Sequence, residues 1–227
     1  MSRNVDIVVN VRLSSSRCPE KIVKSFGNST LLDIAIDKLL SIQNASNKYI
    51  AAGDKKIIDY INDRKPPGIH LLYRSAEAVS AGEHHHSVSF GHYKDVKSDY
   101  IMIFNPCLPF VLSSTYDKAI ENFKENLSTK SLTSVIKYKD IFLDENSKVI
   151  SLSNPDHVST TTAKNLYKMA HAFHIVSKQF FLENGKFWNY IPDDPAFFEI
   201  DHYESFDVDT DSDFRFCQHL FSSGWRA

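Results

Sequence analysis

Runs of apolar residues alternate with amphipathic segments along the chain, and this order predicts strands that alternate with helices. Residues 5–11 are nearly continuous in β-branched side chains, which is typical of a buried parallel strand. Residues 31–42 carry apolar side chains at helical spacing, and Thr30 with Asp33 offers a start that resembles a capping box. The fold is therefore predicted to begin with a strand that leads into a helix.

The same alternation extends through most of the chain. Further strands are predicted at residues 48–52, 69–73, 99–104, 131–137 and 170–176, and further helices at 55–62, 114–126, 177–183 and 211–221. This order predicts an α/β fold with a mostly parallel sheet and helices on both faces. Ligands of such folds collect at the carboxyl ends of the strands, so functional residues are expected just after strands.

A polar, turn-rich stretch at residues 140–164 interrupts the alternation. This stretch is predicted to leave the sheet and to return in the strand at 170–176. The sequence has no internal repeat, low-complexity run or linker. The 227 residues are therefore predicted to form a single domain, with an excursion around residues 140–190.

Composition and charge narrow the expected partners. The 26 basic and 28 acidic side chains are interspersed and give a formal charge of −2, so neither nucleic acid nor a membrane is an expected partner. The apolar run at residues 7–9 is too short for a signal sequence or a spanning helix. Three widely separated cysteines fit reduced thiols. The sequence predicts a cytoplasmic protein that binds a small molecule or another protein.

The loop after the first strand concentrates cations and hydroxyls. Its basic residues and serines are Arg12, Arg17 and Lys21 with Ser14, Ser15 and Ser16. Converging cations suit a triphosphate, because they neutralise the charge that develops during phosphoryl transfer. The alternative interpretation of a basic, serine-rich loop is a solvated turn.

A second cluster of charge lies near the C-terminus, in the segment from 206 to 214. Strand alternation would place Asp207 and Asp209 on one face, about 7 Å apart. Two carboxylates at that separation can share a hard cation such as Mg²⁺ that bridges to phosphate oxygens. Asp211 and Asp213 are assigned to the positive N-terminus of the following helix. The alternative is that the whole cluster caps this helix.

The N-terminal loop resembles the signature of sugar-activating cytidylyltransferases, in which a strand leads into Pro-Ala-Arg, a small-residue loop, then Arg or Lys, Pro, Gly and Lys. Arg12, Ser15, Arg17, Pro19 and Lys21 are in register with it. The C-terminal segment is similar to the family's Ile-Asp-Ile-Asp-Thr followed by an acidic helix start. Residues 105–109, Asn-Pro-Cys-Leu-Pro, stand where CMP-sialic acid synthetases have Gln-Pro-Thr-Ser-Pro.

These matches follow one another in order over nearly the whole chain. The chain therefore resembles the CMP-sialic acid synthetase (acylneuraminate cytidylyltransferase) family of the sugar nucleotidyltransferase superfamily. The resemblance implies a Rossmann-like three-layer α/β/α fold with a mixed sheet, and a homodimer in which residues 140–190 form an excursion or a dimerisation lobe. It also implies transfer of CMP from CTP to a 2-keto sugar acid, with release of pyrophosphate and with Mg²⁺, for surface polysaccharide biosynthesis.

The resemblance also implies roles for individual residues. The catalytic residues are expected to be Lys21, Arg12 and Asp209. The remaining roles are nucleotide binding by Arg12, Ser15, Ser16, Arg17, Lys21 and Arg74, sugar binding by Asn105, Tyr167 and His171, and metal binding by Asp207 and Asp209.

Several positions depart from the family pattern. Glu20 replaces a glycine and brings a negative charge towards the expected phosphates, Asn10 replaces a proline or glutamine, and Ala170 with His171 replaces Asn-Gly. Two alternatives therefore stay open: a nucleotidyltransferase for another coat or capsule sugar, and a degenerate homologue that acts as a binding or scaffold protein. The run of three histidines at residues 84–86 is expected to be a solvated loop or helix start, because zinc ligands are usually spaced more widely.

Overall fold

The computed structural model describes residues 3–80, 84–154 and 159–225. The strands are β1 (Val5–Asn10), β2 (Ser25–Phe26), β3 (Ser29–Thr30), β4 (Lys48–Ala52), β5 (Ile69–Tyr73), β6 (Tyr100–Phe104), β7 (Leu132–Tyr138), β8 (Leu166–Ser177) and β9 (Ala196–Glu199). The α-helices are α1 (Leu31–Ser41), α2 (Lys55–Arg64), α3 (Ala76–Val79), α4 (His86–Ser89), α5 (Ser113–Glu125), α6 (Lys178–Asn184) and α7 (Asp211–Ser222). Short 3-10 helices lie at Gly91–Asp95, Thr160–Thr162 and His202–Ser205.

Within the described residues, the main sheet has seven strands in the order β5-β4-β1-β6-β8-β7-β9. The pairs β5–β4, β4–β1, β1–β6 and β7–β9 are parallel, whereas β8 is antiparallel to both β6 and β7. The predicted mostly parallel, mixed sheet is therefore confirmed. The first residues after β1, β4, β5 and β6 lie at one edge of it, which is where the sequence places its candidate residues.

Both faces of this sheet are covered, which gives the three-layer arrangement. Along β1, Val5, Ile7 and Val9 belong to the larger core that also contains buried residues of α1, α5 and α7. Val8 points to the other face and packs in a second core that includes Tyr93. A strand that places apolar side chains on both of its faces, as its β-branched run predicts, can occupy such a central position.

The boundaries of the predicted elements agree with the structure to within a few residues, but one predicted strand is wrong. Residues 206–209 form an irregular segment outside the sheet, in which Val208 N–H donates to the Cys107 carbonyl at 2.9 Å. The segment is held by this contact to the loop after β6, and strand alternation therefore does not apply to Asp207 and Asp209. The β2–β3 hairpin, β9 and the short helix α3 were not predicted, and α4 was anticipated only as a possible helix start at the histidine run.

The polar stretch that precedes β8 has little regular structure. An isolated bridge pairs Leu143 with Val149, and the Thr160–Thr162 turn follows. Residues 155–158 of the predicted turn-rich stretch lie outside the described residues. The return strand β8 begins four residues before the predicted start at residue 170. Among the described residues, no helix has both the length and the apolar character needed to cross a bilayer.

Candidate active site

The loop between β1 and α1 folds back on itself at the carboxyl edge of the sheet. Val11 N–H donates to the Ala51 carbonyl at 2.9 Å, and Leu13 N–H donates to Asp54 Oδ2 at 3.0 Å. Glu20 N–H returns to the Leu13 carbonyl at 3.2 Å. These bonds anchor both ends of the loop, so that its basic side chains have a defined position next to the ends of β1 and β4.

Glu20 has a left-handed backbone, with φ of 55°. The family pattern has glycine at this position, and glycine reaches such a conformation at little cost. The Glu20 carboxylate lies 3.1 Å from Lys56 Nζ in α2. The negative charge of Glu20, which was expected to oppose the phosphates, is therefore paired with Lys56 of α2. The loop also keeps a left-handed conformation at this position without a glycine.

Two cations of the loop converge on one carboxylate. Arg17 lies 3.0 Å from Asp209 Oδ1 and Lys21 Nζ lies 3.5 Å from the same oxygen. Lys21 also donates to the Val208 carbonyl. Its side chain is only 15% exposed, compared with 64% for Arg17. The structure thus joins the N-terminal loop and the C-terminal acidic segment into a single site.

Asp207 lies deeper in this site than Asp209. Burial, followed by repulsion from Asp209, raises the pKa of Asp207 to about 6. Its buried Oδ1 has no hydrogen-bond partner among the described residues. A carboxylate oxygen that is buried, unpaired and next to a second carboxylate fits a hard divalent cation, which supplies the missing positive charge.

The described residues contain no group of three or more His, Cys, Asp or Glu side chains arranged to hold a metal. This is compatible with Mg²⁺, which commonly takes one or two carboxylates and completes its shell with water and phosphate oxygens. Asp207 and Asp209 would be those ligands. On binding the cation, Asp209 would give up part of its ion pairing with Arg17 and Lys21.

The next two aspartates serve α7, as predicted. Thr210 and Asp213 form a capping box in which each side chain binds the other's backbone N–H. Asp211 pairs with Lys24 at 3.2 Å. Carboxylates in the first turn of a helix stabilise its positive end, so these two residues do not add to the metal site.

All three cysteines are free thiols, and one of them belongs to the site. Burial raises the pKa of Cys107 to about 11, while its hydrogen bond with Lys21 and the positive charge of Lys21 act in the opposite direction. Cys107 is therefore a neutral thiol that packs against Lys21 and limits where its ammonium group can lie.

Two of the three predicted sugar-side residues lie next to each other. Asn105 follows β6, and its N–H donates to the Ala172 carbonyl in β8 at 3.0 Å. Its side-chain Oδ1 accepts from Cys107 N–H at 3.0 Å. His171 precedes Ala172, whereas Tyr167 lies four residues earlier in β8 and contacts Phe197 in β9, with ring centroids 5.1 Å apart.

His171 has a left-handed backbone with φ of 53°, at the irregular pairing of β8 with β7. The family pattern has glycine at this position. Burial, followed by the charge of Lys168, lowers the pKa of His171, while Asp209 opposes the shift. The imidazole is therefore within electrostatic reach of both the acidic segment and a cation in β8.

A second part of the site is a cleft of about 480 Å³ at the carboxyl ends of β1 and β5. Its lining residues are Asn10, Arg12, Arg74, Ala78, His84, His86, Ser89 and Phe90. Arg12 donates to the Ser80 carbonyl at 3.0 Å, and Ser80 Oγ lies 2.9 Å from His84 Nε2. The predicted nucleotide residues Arg12 and Arg74 thus share one cleft.

Arg74 holds the walls of this cleft together. Its guanidinium donates to the carbonyls of Val11, Ala78 and Ser89 at 3.1, 2.8 and 3.3 Å. The Arg74 carbonyl lies so close to Gly53 that a Cβ on that glycine would be 2.8 Å from it. Arg74 therefore shapes this cleft chiefly by fixing the backbone around it.

The two predicted serines differ in position. Ser15 Oγ accepts from Cys18 N–H at 3.4 Å, which stabilises the loop, and Ser16 is exposed. The sequence predicts a solvated loop or a helix start for the histidine run at residues 84–86. The structure does begin α4 at His86, but His84 and His86 also line the cleft. Nothing in their local spacing shows this, because the contact depends on tertiary packing.

Comparisons with known proteins place this geometry in a family. A sequence profile of the cytidylyltransferase family matches residues 7–220. A search of curated protein sequences gives no match. Among solved structures, CMP:2-keto-3-deoxy-manno-octonic acid synthetase complexed with CTP is similar, with a TM-score of 0.72, 10% identity, and 97% of this chain and 99% of that chain covered.

Two further solved structures are similar. One is 4-diphosphocytidyl-2C-methyl-D-erythritol synthase from Anaerococcus prevotii, with a TM-score of 0.66, 15% identity and 96% of each chain covered. The other is a cytidylyltransferase from Leptospira borgpetersenii, with a TM-score of 0.63, 16% identity, and 97% of this chain and 87% of that chain covered. The three solved structures share the fold of this chain. Because the sequence profile matches nearly the whole sequence, the chain belongs to the cytidylyltransferase family.

Proposed function

We propose that this protein transfers CMP from CTP to a 2-keto sugar acid, either sialic acid or a related nonulosonic acid, and releases pyrophosphate. The observation that carries the proposal is the convergence of Arg17 and Lys21 on Asp209, next to the buried carboxylate of Asp207. Cations for the phosphates and carboxylates for a metal thus meet at the carboxyl edge of the sheet, where ligands of this class of fold bind.

The nucleotide is assigned to the two connected parts of the site. The base and ribose occupy the cleft between Arg12 and Arg74, and the triphosphate extends towards Arg17 and Lys21. Mg²⁺ held by Asp207 and Asp209 would neutralise phosphate charge as the leaving group departs. Lys21 is largely withdrawn from solvent, so its charge is screened less than that of an exposed lysine.

The reaction requires no covalent intermediate with the protein. The anomeric hydroxyl of the sugar acid forms a bond to the α-phosphorus, the bond from that phosphorus to the bridging oxygen breaks, and the hydroxyl proton is released. Negative charge grows on the pyrophosphate that leaves. The protein contributes orientation of the two substrates and the fixed positive charge of Arg12, Arg17 and Lys21.

The acceptor site is assigned to Asn105, His171 and Tyr167. Lys168 lies close enough to His171 to lower its pKa, and this cation gives an acidic sugar a partner for its carboxylate. The solved relative complexed with CTP is named for a 2-keto sugar acid, which supports the same substrate class. The product would be an activated sugar for surface polysaccharide biosynthesis.

The proposed enzyme is a homodimer, and residues 140–190 contribute to its interface. Exposed apolar side chains lie in β8, in β9 and between α6 and β9; they are Tyr167, Tyr190, Ile191 and Phe197. An exposed apolar patch at a sheet edge is typical of a surface that another protein covers.

The test is pyrophosphate release from CTP and Mg²⁺ with a panel of 2-keto sugar acids. We expect release with one nonulosonic acid, and a fall of about a hundredfold in kcat for Lys21→Ala, because removing one donor to a developing charge has an effect of that order. Lys24→Ala is the matched control, since Lys24 pairs with Asp211 at the start of α7. CTP binding without turnover on any sugar acid would instead favour the degenerate binding homologue.

A further inference from the structure

Asn10 is the last residue of β1, and its side chain lines the nucleotide cleft. The family pattern has a proline or a glutamine here, so the shorter asparagine is a departure from it. Both ends of the amide are held. His92 Nε2 lies 2.8 Å from Asn10 Oδ1, and Asn10 Nδ2 donates to the Tyr93 hydroxyl at 2.8 Å.

The two residues that hold the amide are themselves fixed. They are consecutive in the Gly91–Asp95 3-10 helix, and both are buried. The Tyr93 ring stacks on Phe90 with centroids 5.3 Å apart, and it contacts Phe181 in α6 at 5.7 Å. Asn10 is therefore anchored to a packed part of the second core, not to a mobile surface group.

His92 is neutral in this environment. Burial, followed by the nearby charge of Arg74, lowers its pKa to about 3. With Asn10 Oδ1 as acceptor, the single proton of the imidazole lies on Nε2. The other nitrogen, Nδ1, is buried and has no partner in the described part of the chain. Moving the proton to Nδ1 would bury an unpaired N–H, which is costly.

The anchored amide still has hydrogen-bonding capacity for a ligand. An asparagine side chain has two donor hydrogens and two acceptor lone pairs. Within the described residues, one of each is used by Tyr93 and His92. One donor and one acceptor therefore remain for a molecule in the cleft.

That remaining pair matches one pyrimidine better than the other. Cytosine presents the acceptor N3 beside the donor N4. Adenine likewise presents an acceptor beside an amino donor, and asparagine recognises that pair with two hydrogen bonds. Uracil presents N3–H beside O4, which is the opposite order. For uracil to pair in the position that cytosine takes, the amide would have to turn over, and Nδ2 would then face the N–H of His92.

We propose that Asn10 reads the pyrimidine base of the bound nucleotide, and that His92 and Tyr93 are positioning residues that fix its amide in the orientation that selects cytosine over uracil. The inference rests on the proposed function only in that a pyrimidine nucleoside triphosphate occupies the cleft. It adds a determinant of base specificity to the arginines and the phosphate loop.

The experiment measures dissociation constants for CTP and UTP with Mg²⁺ by calorimetric titration, without a sugar acid. The ratio of the two constants isolates the base, because both nucleotides carry the same ribose and triphosphate. We expect the unaltered protein to prefer CTP by at least tenfold. Asn10→Ala should abolish most of this preference, and so should Asn10→Asp, because a carboxylate offers only acceptors and cannot donate to cytosine N3.

The positioning role has its own pair of variants. His92→Gln keeps an N–H near the position of Nε2 and should retain the CTP preference to within about threefold, while His92→Leu should lose it. Thermal denaturation separates loss of selectivity from loss of the fold. If the His92→Leu protein does not fold, the Asn10 variants and His92→Gln still decide the question.

The outcomes distinguish this inference from the proposed function. Preference for CTP that persists unchanged in Asn10→Ala and Asn10→Asp would overturn the base-reading role while leaving the cytidylyltransferase proposal intact. Equal affinity for CTP and UTP in the unaltered protein would overturn it as well. Binding of neither nucleotide would remove both proposals.

Discussion

At the scale of single residues, the most unusual group in the site is the Asp207 carboxyl. Its pKa of about 6 lies above the ordinary value of 3.8, because the group is buried and faces Asp209. Lys21 and Arg17 oppose this shift without cancelling it. The metal-free protein therefore holds an ionised carboxylate at neutral pH at a cost to its stability, which a bound cation would relieve.

The first prediction is a pH-dependent gain in stability for Asp207→Asn in the absence of metal. Between pH 4 and pH 6 the folded parent holds a proton on Asp207 that the unfolded chain has lost, so its free energy of unfolding falls as pH rises. Across this window the fall is about 2 to 3 kcal/mol. The variant lacks this group, so its advantage over the parent should grow from pH 4 to pH 7.

Urea denaturation with EDTA at four pH values measures this difference. Asp63→Asn is the control, because it removes an exposed carboxylate from α2. Its stability difference from the parent should stay nearly flat. A constant difference for Asp207→Asn would show that the carboxyl titrates in the folded protein as it does in the unfolded chain.

A second prediction at this scale concerns the left-handed backbone of Glu20. Glu20→Gly and Glu20→Ala both remove the ion pair with Lys56, but only alanine keeps a Cβ at φ of 55°. We expect the glycine variant to be more stable than the alanine variant by about 1 kcal/mol in chemical denaturation. Equal stabilities would contradict the left-handed conformation.

Because the pair with Lys56 draws the carboxylate to α2, neither variant should improve CTP affinity by as much as tenfold.

At the scale of elements, α4 forms a wall of the nucleotide cleft, and α6 determines where that wall lies. The His86 ring stacks on Phe187 with centroids 5.0 Å apart, and His86 Nδ1 lies 3.2 Å from the Gly185 carbonyl. Gly185 ends α6 in a left-handed conformation. The segment after α6 thus connects the cleft to the second core, where Phe187 packs.

The third prediction is that Gly185→Ala weakens CTP binding several-fold. A Cβ at residue 185 would lie 2.9 Å from the His85 ring, whose side chain caps α4 by accepting from Ser87 N–H, so this ring and its capping contact would have to shift. Gly68→Ala is a matched control, because Gly68 also has a left-handed backbone but nothing lies within 4 Å of the added Cβ. Both variants should lose about 1 kcal/mol of stability.

Calorimetric titration with CTP and urea denaturation separate the two effects. Only Gly185→Ala should change the dissociation constant. If both glycine variants, or neither of them, lowered CTP affinity, then the position of α4 would not depend on its contact with the end of α6.

At the scale of the whole molecule, the two ends of the sheet differ in their surface. The patch of Tyr167, Tyr190, Ile191 and Phe197 lies at the β9 end, and 75% of Tyr190 and 55% of Phe197 are exposed. At the opposite edge, Tyr73 in β5 is 68% exposed. The proposed dimer uses the β9 end, where several such side chains lie together.

The fourth prediction is that Phe197→Glu converts the proposed dimer into a monomer, because a charge would have to be buried in its apolar interface. Tyr73→Glu places the same charge on another exposed aromatic position at the other edge and should leave the proposed dimer intact. Sedimentation velocity of both variants tests this. A dimeric Phe197→Glu protein would place the interface elsewhere.

Much of the fold follows from local pattern. Runs of β-branched residues and apolar residues at helical spacing predicted the principal strands and helices, because burial on one or two faces imposes those periods on the sequence. The same reasoning predicted that the loop after β1 and the residues after β5 and β6 would lie at one edge. It failed at residues 206–209, because an aspartate-rich segment with strand-like alternation can be held outside the sheet by contacts with neighbouring loops.

The sequence by itself determined the class of fold, the family resemblance and the residue types available for phosphate and metal. Only the tertiary structure decided how those residues pair. Arg17 and Asp209 are 192 positions apart in sequence, and Asn10 and His92 are 82 apart. Periodicity reports which face of an element is buried, but the partner of a polar side chain depends on which elements pack together. Likewise, the left-handed conformations of Glu20 and His171 are imposed by the loop and the irregular strand pairing around them, and their side chains alone do not favour it.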